Sequence, residues 1–367
     1  MTSSDVSWPR FEETSDGLLV LAPAKVNLNL LVGPRRADGY HDLDSLVVKI
    51  SLYDELLLSR PNNVTRASRP RVCGGVSPPR KPEDAGKMPA GREGETPSPR
   101  CDAIVLSCEG ADCGEAEDNL VYRAGRLLQA HAREHGWATG DDDLGARIHL
   151  TKRTPPGKGL GGGSSDAAAA LLGLCRLWGL DRAADAESHA ATLSSLAARL
   201  GSDVPLFLTP GACRMTGRGD ILQPLDVAPM AIVLFLSDLF CATPAVYRSF
   251  DEFYDEHSAL AGQPLAARQL DAACLRQPPS RWRHLLVNDL LPPALRICPA
   301  LGDLHARLQA HTDIPILMTG SGSALFALCD DDHEAAGLVG TLPADLRGQQ
   351  GLSVLVARTN DSFEGVI

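Results

Sequence analysis

The sequence has no apolar stretch long enough to cross a lipid bilayer. Its longest apolar runs, such as residues 230–236, are far shorter than the roughly 20 residues of a membrane-spanning helix. The first residues are polar and acidic, and they lack the basic start and apolar core of a secretory signal. We therefore expect a cytoplasmic protein that does not associate with membranes.

The sequence also lacks a surplus of basic residues, and it lacks closely spaced cysteine pairs. The chain has 35 Lys and Arg against 46 Asp and Glu, a net charge of -11. This balance disfavours general nucleic-acid binding, which depends on contacts between basic side chains and phosphates. The ten cysteines never form a C-x-x-C pair. We therefore expect neither a structural zinc site nor a disulfide framework. We also expect the protein to work in a reducing compartment.

One long stretch shows no apolar periodicity. Residues 61–100 hold eight of the 26 prolines, five glycines, eight basic residues and four acidic residues. This composition predicts a disordered, mildly basic insertion within a domain. The length of 367 residues predicts about two domains. We place their boundary near residue 225, which gives an N-terminal domain over residues 1–225 and a C-terminal domain over residues 226–367.

Apolar patterns elsewhere predict both helices and strands. Helices are expected over residues 164–178, 184–200 and 333–342, and strands over residues 18–32, 230–236 and 352–357. Pro23 is expected to interrupt the first of these strands. Residues 43–50 and 55–59 are expected to form antiparallel neighbours, and a helical region over residues 282–289 to be broken by Pro292 and Pro293. This mixture predicts an α+β fold.

The most unusual stretch is a glycine-rich loop that runs directly into a helix. It consists of Pro155, Pro156, Gly157, Lys158, Gly159, Leu160, Gly161, Gly162, Gly163, Ser164 and Ser165. The start of a helix has unpaired N–H groups and a partial positive charge, so this arrangement is typical of a phosphate site. Lys152, at the end of the preceding strand, is expected to lie near the nucleotide.

The loop also contains a weaker pattern with a different meaning. Gly157, Gly159 and Gly162 satisfy G-x-G-x-x-G, the fingerprint of dinucleotide-binding proteins. That fingerprint requires a strand leading directly into the turn, whereas two prolines precede these glycines. Lys158 is also not followed by Ser or Thr, as a Walker A loop requires. The loop therefore predicts phosphate binding without identifying the ligand.

Five further residues are candidates, and each allows two interpretations. Lys25 and Asn27 share one face of a strand, which is either an exposed edge or the wall of a pocket. Tyr40 and His41 follow a turn and either pack locally or face a ligand. Asp203 is either an ordinary turn residue or a functional carboxylate. A second small-residue loop, residues 320–323, suggests a ligand held in a cleft between two domains.

Three stretches taken together resemble the motifs of the GHMP kinases, which are small-molecule kinases of the galactose, homoserine and mevalonate type. They are residues 23–27, 161–165 and 319–324. Residues 36–41 and 201–205 resemble the members whose acceptor carries a cytidine diphosphate. The resemblance implies a two-domain α+β fold, with an N-terminal half like ribosomal protein S5 domain 2 and a ferredoxin-like C-terminal half.

The resemblance also implies roles for individual residues. ATP would lie at the glycine loop, with Mg²⁺ on its phosphates and Ser164 or Ser165 able to touch the metal. Lys25 and Asp203 would form the catalytic pair, with Asp203 as the base that accepts the proton of the acceptor hydroxyl. The implied acceptor site consists of Asn27, Tyr40, His41, Thr243, Tyr247, Gly320 and Ser321. Cytosine would stack between the rings of Tyr40 and Tyr247.

Some alternatives stay open at the level of the sequence. Lys158 stands where members of this family usually have glycine, and it either strains the loop or adds positive charge near the phosphates. Rival functions are another GHMP kinase acting on homoserine or mevalonate, an NAD(P)-binding oxidoreductase, and a non-catalytic nucleotide-binding module. The expected partner is a small molecule and not a nucleic acid, and the protein is expected to be a monomer or a homodimer.

Overall fold

The computed structural model describes residues 10–61, 102–110, 114–139, 143–180, 186–256 and 270–359. Apart from Pro61, the predicted insertion over residues 61–100 lies outside the described residues. Within those described ranges, no helix is both long enough and apolar enough to cross a membrane.

The N-terminal half is built on a seven-stranded sheet. Its strands are β1 (Phe11–Thr14), β2 (Gly17–Arg35), β3 (His41–Ser59), β4 (Ile104–Gly110), β5 (Ala146–Lys152), β6 (Ala212–Gly217) and β7 (Ile221–Leu225). The described helices are α1 (Leu120–Glu134), α2 (Gly162–Trp178) and α3 (Ala186–Leu200). The strand order is β1-β2-β3-β5-β4, with β6 paired to β3 and β7 to β6. β4 and β5 are parallel, whereas β2 and β3 form a long antiparallel pair.

The C-terminal half has a separate four-stranded sheet. Its strands are β8 (Ala231–Ser237), β9 (Leu317–Met318), β10 (Leu325–Cys329) and β11 (Leu352–Arg358). The described helices are α4 (Thr243–Glu256), α5 (Ala272–Leu275), α6 (Leu291–Ile297), α7 (Pro299–Gln309), α8 (Asp332–Thr341) and α9 (Ala344–Arg347). The strand order is β11-β8-β10-β9, and every neighbouring pair is antiparallel. This arrangement of helices and strands is ferredoxin-like.

A shared apolar core joins the two sheets. Val26 and Leu28 of β2 belong to one buried cluster with Ile232 of β8 and Phe326 of β10. Most of β2 is therefore covered on both faces, which is why its run is almost continuously apolar. The position of β2 between the two halves also decides one open question. Lys25 and Asn27, only 5% and 2% exposed, line the interior and are not on a free edge.

Several predicted elements are confirmed, and three local predictions are wrong. Pro23 does not end a strand, because a register shift between Pro23 and Ala24 accommodates the missing N–H within β2. The runs 43–50 and 55–59 are parts of the same strand, β3. Pro292 and Pro293 begin α6, since proline is well accommodated in the first turn of a helix, where no intrahelical N–H bond is lost.

Candidate active site

The glycine-rich loop connects β5 to α2 and turns through three left-handed glycines. Gly157, Gly159 and Gly161 have φ values of 69°, 77° and 71°, a region that other residues rarely adopt. Gly161 is the N-cap of α2, and no side chain caps the helix. The first turn therefore keeps its backbone N–H groups available to a ligand.

The first turn of α2 also has open space in front of it. Gly163 is exposed, and among the described atoms outside its own helix backbone and chain neighbours, only Leu120 Cδ1 lies within 4 Å of a Cβ built there, at 3.9 Å. An uncapped helix start facing open space has the charge and the room that a phosphate group needs. Ser164 is half-buried at this end, whereas Ser165 is fully buried. Of the two serines, Ser164 is the better placed to reach a ligand.

Lys25 lies directly beneath this loop. Its backbone N–H donates to Leu160 O at 2.9 Å, and its Nζ donates to Asn27 Oδ1 at 2.5 Å. A Cβ built on Gly161 would be 3.0 Å from Lys25 Cγ, so glycine is what lets the lysine stem lie so close. Burial lowers the pKa of Lys25, and the negative charge of Asp203 opposes this effect.

Asp203 lies in the turn that follows α3, and its charge reaches two other predicted site residues. It acts on Lys25, and it adds to the burial that raises the pKa of Tyr247 to about 12. Within the described part of the chain, Asp203 and Lys25 form no ion pair at 4.0 Å or less. The structure thus places Asp203 within electrostatic reach of both Lys25 and Tyr247, without direct pairing of the Lys25 and Asp203 charges.

The second small-residue loop packs against the first. Thr319 Oγ1 accepts a hydrogen bond from the backbone N–H of Asn27 at 2.9 Å. A Cβ built on Gly159 would be 2.3 Å from Thr319 O, so the two loops touch through their backbones. Ser321 Oγ lies 2.7 Å from Thr243 Oγ1, at the start of α4. Both loops and the first turn of α4 therefore meet at one place.

The predicted base-binding residues differ in exposure. Tyr40 is 58% exposed, and the guanidinium of Arg218 lies over its ring at 4.6 Å. His41 is buried and tilted against the ring of Tyr247, with centroids 5.4 Å apart. Its Nδ1 is 2.9 Å from Gly33 O, and its Nε2 is 3.2 Å from Asp251 Oδ1. A hydrogen bond from the His41 ring to a base would have to replace one of these contacts.

The ammonium group of Lys152 binds the side chains of two buried aspartates. Its Nζ is bonded to Asp54 and lies 2.7 Å from Asp166 Oδ2. Burial raises the pKa of Asp166 to about 8, although the Lys152 charge opposes this. Asp166 Oδ1 and Ser165 Oγ are both buried without a hydrogen-bond partner. Sequence reasoning missed both acids, and the one available signal was the position of Asp166 directly after the two serines.

The side chain of Lys158 is held by a hydrogen bond to a neighbouring segment. Its Nζ donates to Leu239 O at 2.5 Å, and burial lowers its pKa. The flanking positions Gly157 and Gly159 carry the left-handed backbone. The positive charge of Lys158, which the sequence analysis considered for the phosphates, thus lies against the segment between β8 and α4.

The arrangement of strands excludes the dinucleotide interpretation. β5, which leads into the glycine loop, is antiparallel to β3, and α2 is followed by α3. A dinucleotide-binding unit needs the helix after the glycines to lead into a parallel strand. The G-x-G-x-x-G match at Gly157, Gly159 and Gly162 is therefore coincidental.

Comparisons with known proteins agree with this geometry. Models of the GHMP kinases N terminal domain and of the GHMP kinases C terminal match residues 119–211 and 272–347. A 4-diphosphocytidyl-2-C-methyl-D-erythritol kinase of Anaeromyxobacter dehalogenans is 36% identical, over 93% of this chain and 90% of its own length. One of Granulibacter bethesdensis is 37% identical, over 87% and 88%. The chain belongs to this kinase family, within the GHMP kinases.

Solved structures support the same fold. The crystal structure of a 4-(cytidine 5'-diphospho)-2C-methyl-D-erythritol kinase has a TM-score of 0.64 and 29% identity, covering 94% of this chain and all of its own. A homoserine kinase from Cytophaga hutchinsonii has a TM-score of 0.55 at 14% identity, covering 95% and 96%. The second likeness concerns the fold alone. The predicted two-domain α+β architecture and the predicted family are both confirmed.

Proposed function

We propose that the protein transfers the γ-phosphoryl group of ATP to the 2-hydroxyl of 4-diphosphocytidyl-2-C-methyl-D-erythritol. The products would be the 2-phosphate and ADP, within the non-mevalonate route to isoprenoid precursors. The observation that carries the proposal is the meeting of the glycine loop, Lys25 and Asp203 in a chain of this family. The alternatives within the GHMP kinases, homoserine or mevalonate as acceptor, provide no use for the His41–Tyr247 ring contact.

The glycine loop fits the phosphates of ATP. The uncapped start of α2 supplies N–H donors and positive charge, and the space in front of Gly163 supplies room. Among the described residues, no three His, Cys, Asp or Glu side chains are grouped to hold a metal. A Mg²⁺ ion would be held jointly by the phosphates and by Ser164, whose half-buried hydroxyl lies at the start of α2. When bound, it would neutralise charge on the transferring group.

Asp203 would act as the general base and Lys25 as the fixed positive charge. The hydroxyl oxygen forms a bond to the γ-phosphorus while the bond from that phosphorus to the β–γ bridging oxygen breaks. The hydroxyl proton passes to Asp203, and ADP leaves with the electron pair of the broken bond. Lys25 is held by Asn27 and the loop backbone, so it presents charge with little reorganisation.

The acceptor would bind where α4 meets the two loops. Tyr247 projects from α4 next to His41, and Tyr40 offers an exposed ring on the neighbouring turn. Stacking of a base on such rings is worth about 1–3 kcal/mol. Thr243 and Ser321, which bond each other, lie on the same side and offer hydroxyls to the sugar or phosphate part.

The test is phosphorylation of 4-diphosphocytidyl-2-C-methyl-D-erythritol by the wild type and by Asp203→Asn, with homoserine and mevalonate as alternative acceptors. We expect the variant to keep ATP binding and to lose roughly 10²–10⁴-fold in kcat, because general-base catalysis contributes that much. Asp303→Asn, an exposed acid on α7, is the matched control and should retain activity. Preference of the wild type for homoserine or mevalonate would refute the proposed acceptor.

A further inference from the structure

The segment over residues 238–242 leads from β8 into α4, and it is held by two neighbouring loops at a single atom. Leu239 O accepts a hydrogen bond from Lys158 Nζ at 2.5 Å, and it also accepts one from the hydroxyl of Ser323. Lys158 belongs to the glycine loop and Ser323 to the second small-residue loop. One backbone carbonyl therefore joins three parts of the chain.

Two further contacts close this arrangement. The backbone N–H of Ala324 donates to Lys158 O at 3.3 Å. A Cβ built on Gly157 would lie 2.9 Å from the ring of Phe240, so the 238–242 segment packs directly against the glycine loop. Lys158 is half-buried, and its donor is thus partly shielded from water. A hydrogen bond from an ammonium group in such a place is stronger than an ordinary neutral one.

The 238–242 segment is also the approach to the proposed acceptor helix. Thr243, the first residue of α4, follows it directly, and Tyr247 lies one turn further on. Any movement at Leu239 would tilt the start of α4. We propose that Lys158 is a positioning residue that fastens the nucleotide loop to the 238–242 segment and so holds the acceptor helix in place before either substrate binds.

A neighbouring cysteine provides a test that does not depend on the identity of the acceptor. Cys241 lies within the segment and is only 2% exposed. Cys175, in α2, is equally buried but lies outside the segment and so reports general opening of the fold. In Lys158→Met, which cannot donate, we expect a thiol reagent to label Cys241 about tenfold faster while the rate at Cys175 stays unchanged. Peptide mass spectrometry gives both rates.

Two controls define the comparison. Lys158→Arg keeps a charged donor and should restore slow labelling of Cys241. Arg153→Met removes a cation from the start of the same loop, where Arg153 pairs with Glu55 on the surface, and should change neither rate. Unchanged labelling of Cys241 in Lys158→Met would overturn the inference. An equal rise at both cysteines would also overturn it, because it would mean that the whole fold is destabilised.

The second measurement rests on the proposed function. We expect Lys158→Met to raise the Kd of 4-diphosphocytidyl-2-C-methyl-D-erythritol about tenfold in the absence of nucleotide. If Lys158 instead served the ATP phosphates, the variant would weaken ATP binding and leave this Kd unchanged, which would overturn the positioning role. Failure of the wild type to bind the acceptor would refute the proposed function, whereas the labelling rates would still decide the role of Lys158.

Discussion

Replacement of Gly159 by alanine tests the contact between the two small-residue loops. The new methyl group would lie 2.3 Å from Thr319 O, where real Cβ atoms are not found, and φ is +77°. A left-handed backbone costs a non-glycine residue about 1–2 kcal/mol, and overpacking costs about 1–3 kcal/mol more. The two effects predict a loss of about 2–5 kcal/mol of unfolding free energy.

The neighbouring Gly163 provides the opposite case. In the first turn of α2, the nearest described atom to a methyl group at Gly163 would be Leu120 Cδ1, at 3.9 Å, apart from the helix's own backbone and the chain neighbours. Gly163→Ala should therefore leave stability unchanged or raise it by about 0.5–1 kcal/mol, as alanine does in helices. Its methyl group would occupy the space proposed for phosphate, so we expect ATP to bind more weakly. Gly337→Ala in α8, where no described atom lies within 4 Å of a built Cβ, should show the same small effect on stability and leave ATP binding unchanged.

Urea unfolding and calorimetric titration with ATP, applied to the same three variants, separate these effects. Gly159→Ala should lose stability, Gly163→Ala should lose ATP affinity, and Gly337→Ala should match Gly163→Ala in stability while it binds ATP like the wild type. If Gly159→Ala is as stable as the wild type, the loops do not depend on close backbone contact. If Gly163→Ala binds ATP normally, the phosphates do not lie at the start of α2.

Two further predictions concern charged side chains. Burial raises the folded-state pKa of Asp166 to about 8, above its unfolded value, although the Lys152 charge opposes this. The protonated side chain therefore stabilises the folded state below about pH 4, and this contribution to the unfolding free energy is lost as the pH rises to about 8. Relative to Asp166→Asn, the wild type should lose up to about 1.4 kcal/mol of unfolding free energy per pH unit in that window, and a pH-independent difference between the two would contradict this. Arg218→Ala removes an exposed cation–π contact worth about 0.5–1 kcal/mol from Tyr40. The KM of the cytidine-bearing acceptor should rise roughly two- to fivefold with that of ATP unchanged, and an equal rise in both would argue against a role for Tyr40 in acceptor binding.

Features that depend only on neighbouring residues were predictable from the sequence. The glycine loop and α2 follow from local composition, and Asn119 caps α1 with its side chain 2.9 Å from the N–H of Val121. The extent of β2 and β3 was not predictable in this way. Both strands are 19 residues long and belong to the N-terminal sheet, and a proline or a polar residue within them is tolerated by pairing along the rest of the strand.

In the candidate site, too, single motifs were visible in the sequence, whereas the contacts between distant residues were not. The stretches that contribute Lys25, the glycine loop and Asp203 each look ordinary or ambiguous alone, and only their resemblance to a family joined them. The distances that give them meaning depend on tertiary packing. Asp251 reaches His41 from a helix 210 positions later, and nothing in the spacing of the two residues predicts the contact.

The partners of Lys152 are a further feature that the sequence did not predict. Sequence reasoning assigned Lys152 to the nucleotide because it precedes the glycine loop, but Asp54 on β3 and Asp166 on α2 both bind its ammonium group. An ammonium group that already binds two buried aspartates contributes less net attraction to a phosphate than a free one would. Its structural effect is to join β3, β5 and the start of α2 at one point. Lys152 thereby fixes where α2 begins, and its predicted position near the nucleotide stays a prediction.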